Sequence, residues 1–598
     1  MRPVRHVCLN HFRWLIAFAV TILVLGGAAA ADAASGPAHL KTDATVGASP
    51  SGVKAALAGG TQAPGGPPEF TTTADPVSLD APVRVPPTRP TVVTIADNAP
   101  FGNAPSPSTD TVALPNGHWS TVVMSITGTE KGRQYDRLAE VYDGPTQIFL
   151  GVTPEPTPAG ITWHVQKDIT GYLPILSGTR SFSTYVDNYL SSIDTGIPVL
   201  TVKLYFYPAG GGYAAAHVAT TSDPGLAGDA INQAGPATPA DDPGVPNDVV
   251  TLVPSGDTSD FNTINAGSSL SATVTLPDDI RSASLDLYAV GQSTDEFWWG
   301  LTPAFREIDV SVDGRPAGVV WPDAFVYTGG VNPLIWRPLT GVDTLDIPSY
   351  RLDLTPFAGL LSSGGPHTIT LTVAGNAGYW LAGGALLLSA GGPAVSGSVT
   401  ADTLSLPTSS AVTTSDALGS PASVTSAESA SASYRIAGTV TQGGRTWTDA
   451  LSQSLQFAGD QTNIDSSCTT DCYQWVHQET TSAATETVSG RYGRPVTRHD
   501  DTSWTIDAPN GYQQNTDGSD FFIPASVSQS YTDVASGGGY ATSLSESVTG
   551  YGALEEDNSA ATITNGDTTG IITVHDGGYV YQRTIVTHGG TIVQDLTS

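Results

Sequence analysis

Short runs in which apolar and polar residues alternate, each closed by glycine, proline, asparagine or aspartate, recur along most of this chain. Trp119-Ser120-Thr121-Val122-Val123-Met124-Ser125-Ile126, Leu200 to Tyr207, Ala272 to Leu276, Ala283 to Val290 and Thr368 to Val373 are examples. Alternation places successive side chains on opposite faces of an extended strand, so each run buries one face by packing its sheet against another layer. Asp313-Gly314, between Ile308 to Val312 and Gly318 to Trp321, predicts a tight hairpin, because both residues tolerate positive φ. No run combines helical periodicity with caps at both ends. The 65 glycines and 43 prolines among 598 residues also oppose helix interiors. The expected class is all-β: two packed β-sandwiches followed by an additional β-rich C-terminal domain.

The ends and joints of this pattern predict the domain limits. Arg2, Arg5 and Arg13 precede an apolar run from Trp14 to about Gly27, and Ala31-Asp32-Ala33 supplies small residues for cleavage. Residues 1–33 therefore read as a signal peptide, and the protein as secreted, with no membrane association after cleavage. Residues 34–90 are rich in Ala, Gly, Pro, Ser and Thr and read as a disordered leader. The first sandwich is expected over 91–208, a linker-like stretch over 209–248, the second sandwich over 249–392 and a Ser/Thr-rich β domain, or a repetitive β stalk, over 393–598. Cys468 and Cys472, four residues apart in an exported chain, predict a small disulfide loop. A formal charge of −32 excludes nucleic acid as a partner, since a phosphate backbone selects a basic surface.

Gly-x-Ser-x-Gly, His-Glu-x-x-His and Gly-rich phosphate loops are all absent, and no cofactor or metal is expected. Carboxylates set among aromatics remain, a composition suited to sugars, whose apolar faces stack on rings while their hydroxyls bond to acids. Three segments have it: Tyr135-Asp136-Arg137 with Glu140 and Tyr142; Tyr185-Val186-Asp187-Asn188-Tyr189; and Asp295-Glu296-Phe297-Trp298-Trp299 followed by Phe305-Arg306-Glu307. Each also has a plain structural reading: an Asp-Arg ion pair, a turn acid, and a solvated acid beside core tryptophans. An exposed Trp-Trp pair beside an acid is expected to serve binding.

At these same residues the chain resembles the peptide-N-glycosidase A family. The likeness runs through Tyr135 to Thr153-Pro154-Glu155-Pro156-Thr157, Gly160-Ile161-Thr162-Trp163 and Lys167-Asp168-Ile169-Thr170. It continues through Phe305-Arg306-Glu307, Ala317 to Pro322, Tyr327-Thr328-Gly329-Gly330, Trp336-Arg337-Pro338 and Asp353 to Phe357. A more distant resemblance, to the peptide-N-glycosidase F type, implies that the two sandwiches are jelly rolls with the site between them. It also implies that Asp136 is the essential acid, Asp187 the second, and Glu296 or its neighbour Asp295 the third. Trp336-Arg337 matches that type's tryptophan-arginine pair.

The activity implied is hydrolysis of the amide joining an N-glycan to asparagine, giving aspartate and a glycosylamine, with N-glycosylated peptides or proteins as partners of a monomer. Asp136 and Glu296 are then the catalytic candidates. Arg137, Asp187, Tyr185, Tyr189, Asp295, Trp298, Trp299, Trp336 and Arg337 are the substrate-binding candidates. Two other readings stay open: a glycoside hydrolase using a carboxylate pair, and a non-catalytic carbohydrate-binding β-sandwich protein.

Overall fold

The computed structural model describes residues 74–104, 106–208, 246–253, 262–416, 423–464, 471–491, 493–514, 521–538, 540–557 and 560–598. The predicted signal peptide, the Cys468–Cys472 pairing and nearly all of the linker-like stretch lie outside them.

The alternating runs are strands. β1 (Thr91–Pro100), β2 (Ser108–Ala113), β3 (Trp119–Glu130), β4 (Leu138–Asp143), β5 (Thr146–Val152), β6 (Ile161–Asp168), β7 (Thr179–Val186) and β8 (Val199–Pro208) form two four-stranded sheets. Their orders are β1-β8-β3-β6 and β2-β7-β4-β5. Ile95, Val122, Met124 and Ile126 of the first sheet meet Val141, Ile148, Phe149 and Phe182 of the second in one apolar cluster. A second pair of sheets uses β9 (Asp248–Thr251), β10 (Thr263–Asn265), β11 (Ser269–Thr275), β12 (Ile280–Gln292), β13 (Glu307–Val312), β14 (Arg315–Val320), β15 (Tyr350–Asp353), β16 (Pro366–Ala374) and β17 (Tyr379–Ala390). Here β10-β17-β12-β15, with β9 on β17, faces β11-β16-β13-β14. Asp313 and Gly314 both take positive φ, 50° and 76°, as the predicted β13–β14 hairpin requires. A four-residue α-helix, Ala358–Leu361, interrupts this otherwise all-β arrangement among the described residues.

The two sandwiches are joined by polar as well as apolar contacts. Leu138, Leu150 and Val152 of the first lie in the core cluster of the second. Lys167 donates to Asp346 Oδ1 at 2.8 Å, Tyr172 donates to Asp286, and Val152 N donates to Thr344 O at 3.1 Å. Pairing Lys167 with Asp346 keeps both charges compensated out of water.

From Val395 onward ten antiparallel strands follow one another in chain order, from β18 (Val395–Asp416) through β19 (Ser423–Gln442), β20 (Arg445–Ile464), β21 (Asp471–Ser489) and β22 (Val496–Gln514) to β27 (Thr591–Thr597). The burial of β19 alternates along much of its length, with Ala430, Ala432, Tyr434 and Ile436 inward. The Ser/Thr texture of this region thus belongs largely to the other face. The inner face packs on the second sandwich, with Phe457 5.6 Å from Phe305 and Trp504 5.3 Å from Phe325 between ring centres. One continuous apolar cluster therefore runs through both parts.

Residues 74–90, expected to belong to a flexible leader, instead follow a defined extended path. Val77 N donates to Pro338 O at 2.9 Å and Val77 O accepts from Thr340 N at 3.0 Å. Leu79 is buried, and Arg84 pairs with Asp576 at 2.7 Å. Buried Leu79, partly buried Val77 and the backbone bonds to Pro338 and Thr340 order a segment whose composition alone predicts none.

Candidate active site

The loop between β3 and β4 carries Asp136 and Arg137. Arg137 N donates to Thr153 Oγ1 at 3.0 Å, and Thr153 N returns a bond to Arg137 O at 2.8 Å. Buried Gln134 links this loop to the one after β7: its Oε1 accepts from Arg137 Nη2 at 2.7 Å and its Nε2 donates to Tyr189 O at 2.8 Å. Asp187 N donates to Leu138 O at 3.0 Å. Asp136, Arg137 and Asp187, some fifty residues apart at the extremes, thus stand at the same end of the first sandwich.

The second sandwich completes the surround. Gly329 N donates to Asp136 Oδ2 at 2.8 Å. A Cβ at Gly329 would lie 2.8 Å from Glu155 Oε1 and 2.9 Å from Asp136 Oδ1, so the close approach of this backbone to both carboxyls requires glycine. Behind them Arg337 is fully buried; it donates to Trp336 O at 2.8 Å and to Glu155 O. Its Nη2 lies 3.9 Å from Glu155 Oε2. Glu130 is buried beside this group with neither carboxyl oxygen hydrogen-bonded among the described residues.

Glu296 enters from the turn after β12, and its neighbour Asp295 fixes that turn. Asp295 is fully buried and accepts from Arg306 Nε at 3.0 Å, Arg306 Nη2 at 2.9 Å and Trp380 Nε1 at 2.8 Å. Ala377 N lies 3.2 Å from its Oδ1. With both oxygens engaged inside the second sandwich, Asp295 anchors the turn while Glu296, next along the chain, remains partly exposed.

The charges of these groups act on one another. Burial raises Glu296 to about 7, the negative charge of Asp136 adds to the rise, and Arg137 opposes it. Burial raises Asp187, and Arg137 opposes this too. Glu155 is pushed well up by burial and then by Asp136, with Arg337 and Arg137 opposing. Glu130 rises to about 8 through burial, against Arg137 and Arg337. The Tyr327 hydroxyl is raised by burial, then by Glu296 and Asp136; Tyr379 is raised by burial, then by Asp187 and Glu296. Asp136, Asp187 and Arg137 of the first sandwich therefore all act on the charge of Glu296 of the second.

Several residues expected to touch substrate do not reach solvent. Trp298 and Trp299 are buried, Trp298 against Trp380 at 6.4 Å and Trp299 edge-on to Phe297 at 6.1 Å. The pair expected to be exposed is core, because the turn at 298–300 folds both rings inward. Tyr185 is buried edge-on to Tyr142 at 5.7 Å. Trp336, Arg337 and Asp295 are fully buried and support the site from behind. Asp187 and Tyr189, 45% exposed, remain accessible at the rim, and Tyr135 and Tyr379 are half-buried. Glu130, Glu155, Tyr327 and Tyr379 were not foreseen as site residues; Glu155 and Tyr327 sit in strings that carried the family resemblance, but no spacing signals their place beside Asp136.

Because buried Arg337 is the donor to the Trp336 and Glu155 carbonyl oxygens, Arg337→Met leaves both in the interior without that partner. The expected loss is about 1–3 kcal/mol for each carbonyl left unsatisfied, read as a lower urea midpoint at unchanged slope; a midpoint equal to the wild type would contradict this role.

The chain has the sequence character of a known class. Residues 82–379 match the profile of the family described as peptide N-acetyl-β-D-glucosaminyl asparaginase amidase A, and through this stretch the chain is similar to that family. A curated relative, peptide-N4-(N-acetyl-β-glucosaminyl)asparagine amidase A of Prunus dulcis, is 30% identical over 323 residues, which cover 50% of this chain and 54% of the relative. The chain thus spans about half the length of the curated relative it matches. Among solved structures, PNGase F, a glycosylasparaginase from Flavobacterium meningosepticum, aligns with a TM-score of 0.33 at 13% identity, covering 51% of this chain and 97% of that one. PNGF-II aligns with a TM-score of 0.36 at 14% identity, covering 51% and 66%. Among the described residues no helix is long and apolar enough to cross a membrane.

Proposed function

We propose that this protein is a secreted amidase that hydrolyses the β-aspartylglucosaminyl amide between an N-glycan and asparagine in glycopeptides or glycoproteins. The observation that carries the reading is Asp136, beside Arg137 in the first sandwich and bonded by Gly329 N of the second at 2.8 Å, with its charge and that of Asp187 raising Glu296, all within the stretch that carries the family match. Secretion rests on the N-terminal Arg-flanked apolar segment.

Amide hydrolysis needs an activated water, stabilisation of charge on the carbonyl oxygen and a proton for the leaving nitrogen. Asp136, fixed by Gly329 N, accepts a proton from water as its oxygen bonds to the asparagine side-chain carbonyl carbon. Arg137 stabilises the oxyanion. Glu296, neutral below about pH 7, supplies the proton to nitrogen as the C–N bond breaks. Asp187 and Tyr189 at the rim hold hydroxyls and a face of the inner sugars. The products are aspartate in the peptide and a glycosylamine. Mass spectrometry of a glycopeptide incubated in heavy-oxygen water tests this, because amidase action places one heavy oxygen in the new aspartate. A sugar left on asparagine would instead mean glycoside hydrolysis, and an unchanged glycopeptide, binding alone.

A Glu296 proton donor also sets the pH dependence. Raised to about 7, it holds its proton at pH 5 and has lost it at pH 8, so kcat/KM is expected to fall on the alkaline side. Glu296→Gln removes the donor. It should lower kcat by roughly 10²–10⁴-fold and abolish that alkaline limb; a variant retaining the limb would assign it elsewhere.

A further inference from the structure

The segment that follows Glu296 is held by strands that lie outside the family match. Trp299 O accepts from Gln478 Nε2 at 2.6 Å, and Gly300 O accepts from Gln461 Nε2 at 2.8 Å and Gln474 Nε2 at 3.5 Å. Thr302 donates its hydroxyl to Gln461 Oε1. Ala304 N and Phe305 N both donate to Glu428 Oε2, at 2.7 and 3.2 Å. Glu428 comes from β19, Gln461 from β20, and Gln474 and Gln478 from β21. The neighbouring inward residues of these strands, Ala430, Phe457 and Val476, are apolar, yet Gln461 and Gln478 are themselves buried among them.

A buried amide on an apolar sheet face has a desolvation cost that an apolar residue avoids, so its presence needs a partner that only a polar group serves. Here the partners are the main-chain groups of 299–305. Among the described residues this irregular segment pairs with no strand backbone, so side chains must satisfy its carbonyls and N–H groups once it is buried. Its other end is fixed by Asp295 inside the second sandwich. Glu296 therefore stands between two anchors, one in each part of the molecule.

We propose that the C-terminal sheet is a positioning element of the amidase site, with Glu428, Gln461 and Gln478 setting segment 297–305 and, through it, the place and burial of Glu296. This rests on the amidase reading for its kinetic consequence but not for its structural one. In Glu428→Ala/Gln478→Ala, kcat should fall roughly 10- to 100-fold, as small displacements of a reacting group do, with KM for a glycopeptide nearly unchanged. The alkaline limb should also move to lower pH, because a loosened Glu296 is less desolvated.

Hydrogen exchange read by mass spectrometry tests the same holding without activity: amides of 297–305 should exchange more than about tenfold faster while those of β13 and β16 do not change. Glu428→Gln keeps an acceptor oxygen and should show none of the effects of Glu428→Ala. The proposal is overturned if the double variant keeps the wild-type limb and the wild-type exchange of 297–305, even with a lower melting temperature, because that is the signature of a structural role alone. A wild type that releases no glycan at any pH would strike the amidase reading, while the exchange result would still decide whether the sheet holds the segment.

Discussion

Asp136→Asn is expected to abolish glycan release while leaving the fold intact. The substitution keeps size and leaves an oxygen able to accept from Gly329 N, whose 2.8 Å bond orients the native side chain, so packing gives no reason for unfolding. It removes the charge that takes the water's proton and, with it, the negative neighbour that adds to the rise in both Glu296 and Glu155. A lost proton acceptor alone costs roughly 10²–10⁴-fold. The additional loss of water positioning should bring release below detection in a glycopeptide assay, with an unchanged circular dichroism spectrum and melting temperature. Near-normal release would remove Asp136 from the mechanism. In the Asn variant Glu296 should also sit nearer its ordinary range, since one of the two neighbouring negative charges that raise it is gone.

Stability should be greatest on the acid side and fall as pH rises from about 4 to about 8. The second sandwich and the C-terminal sheet bury Asp323, Glu486 and Asp500, each raised by burial to about 7. Burial also raises Asp343, Asp449, Asp533 and Glu546 well above the ordinary range. In the first sandwich Glu130 and Glu140 rise to about 8. Countercharge near these groups is sparse: Arg498 meets Glu486 at 3.2 Å, beside Asp353 and Asp449. A carboxyl whose folded pKa lies above its unfolded one binds its proton more tightly in the fold. Its contribution is complete below the unfolded value, near 4, and is lost as pH rises through the folded value, near 7 to 8.

Between those limits each group gives a slope of up to about 1.4 kcal/mol per pH unit. Asp595, held low by its bond to Arg583, works in the opposite sense but is largely exposed and contributes little. Melting temperature should therefore be several degrees lower at pH 8 than at pH 5, and Asp500→Asn should flatten the dependence. An equal or higher melting temperature at pH 8 would mean that these acids are compensated in a way their neighbours do not suggest.

Strand identity, the Asp313-Gly314 hairpin and the near-absence of helix follow from local rules: alternation, positive-φ residues and the exclusion of Gly and Pro from helices act within a few residues. Asp136, Asp187 and Glu296 were legible as acids beside aromatics, aided by a family resemblance, because residue type carries chemistry wherever the chain leads. Exposure was not legible. Trp298 and Trp299 read as a surface pair until the turn at 298–300 turned them inward. Asp295 and Glu296, adjacent and alike in sequence, are separated in role by the bonds that Arg306 and Trp380 make to Asp295 alone.

The all-β class, the strands and the chemical type of the site follow from local order along the chain. Packing sets which acids share one environment, that Glu155 and Tyr327 stand beside Asp136, that residues 74–90 are tied to 338–340 and Asp576, and that strands of the C-terminal sheet brace the Glu296 segment. The difference is one of range. Strand propensity and turn geometry are properties of neighbours along the chain, whereas burial, desolvation and the meeting of charges depend on residues more than a hundred positions apart, as Gly329 N on Asp136 and Gln478 on Trp299 both show.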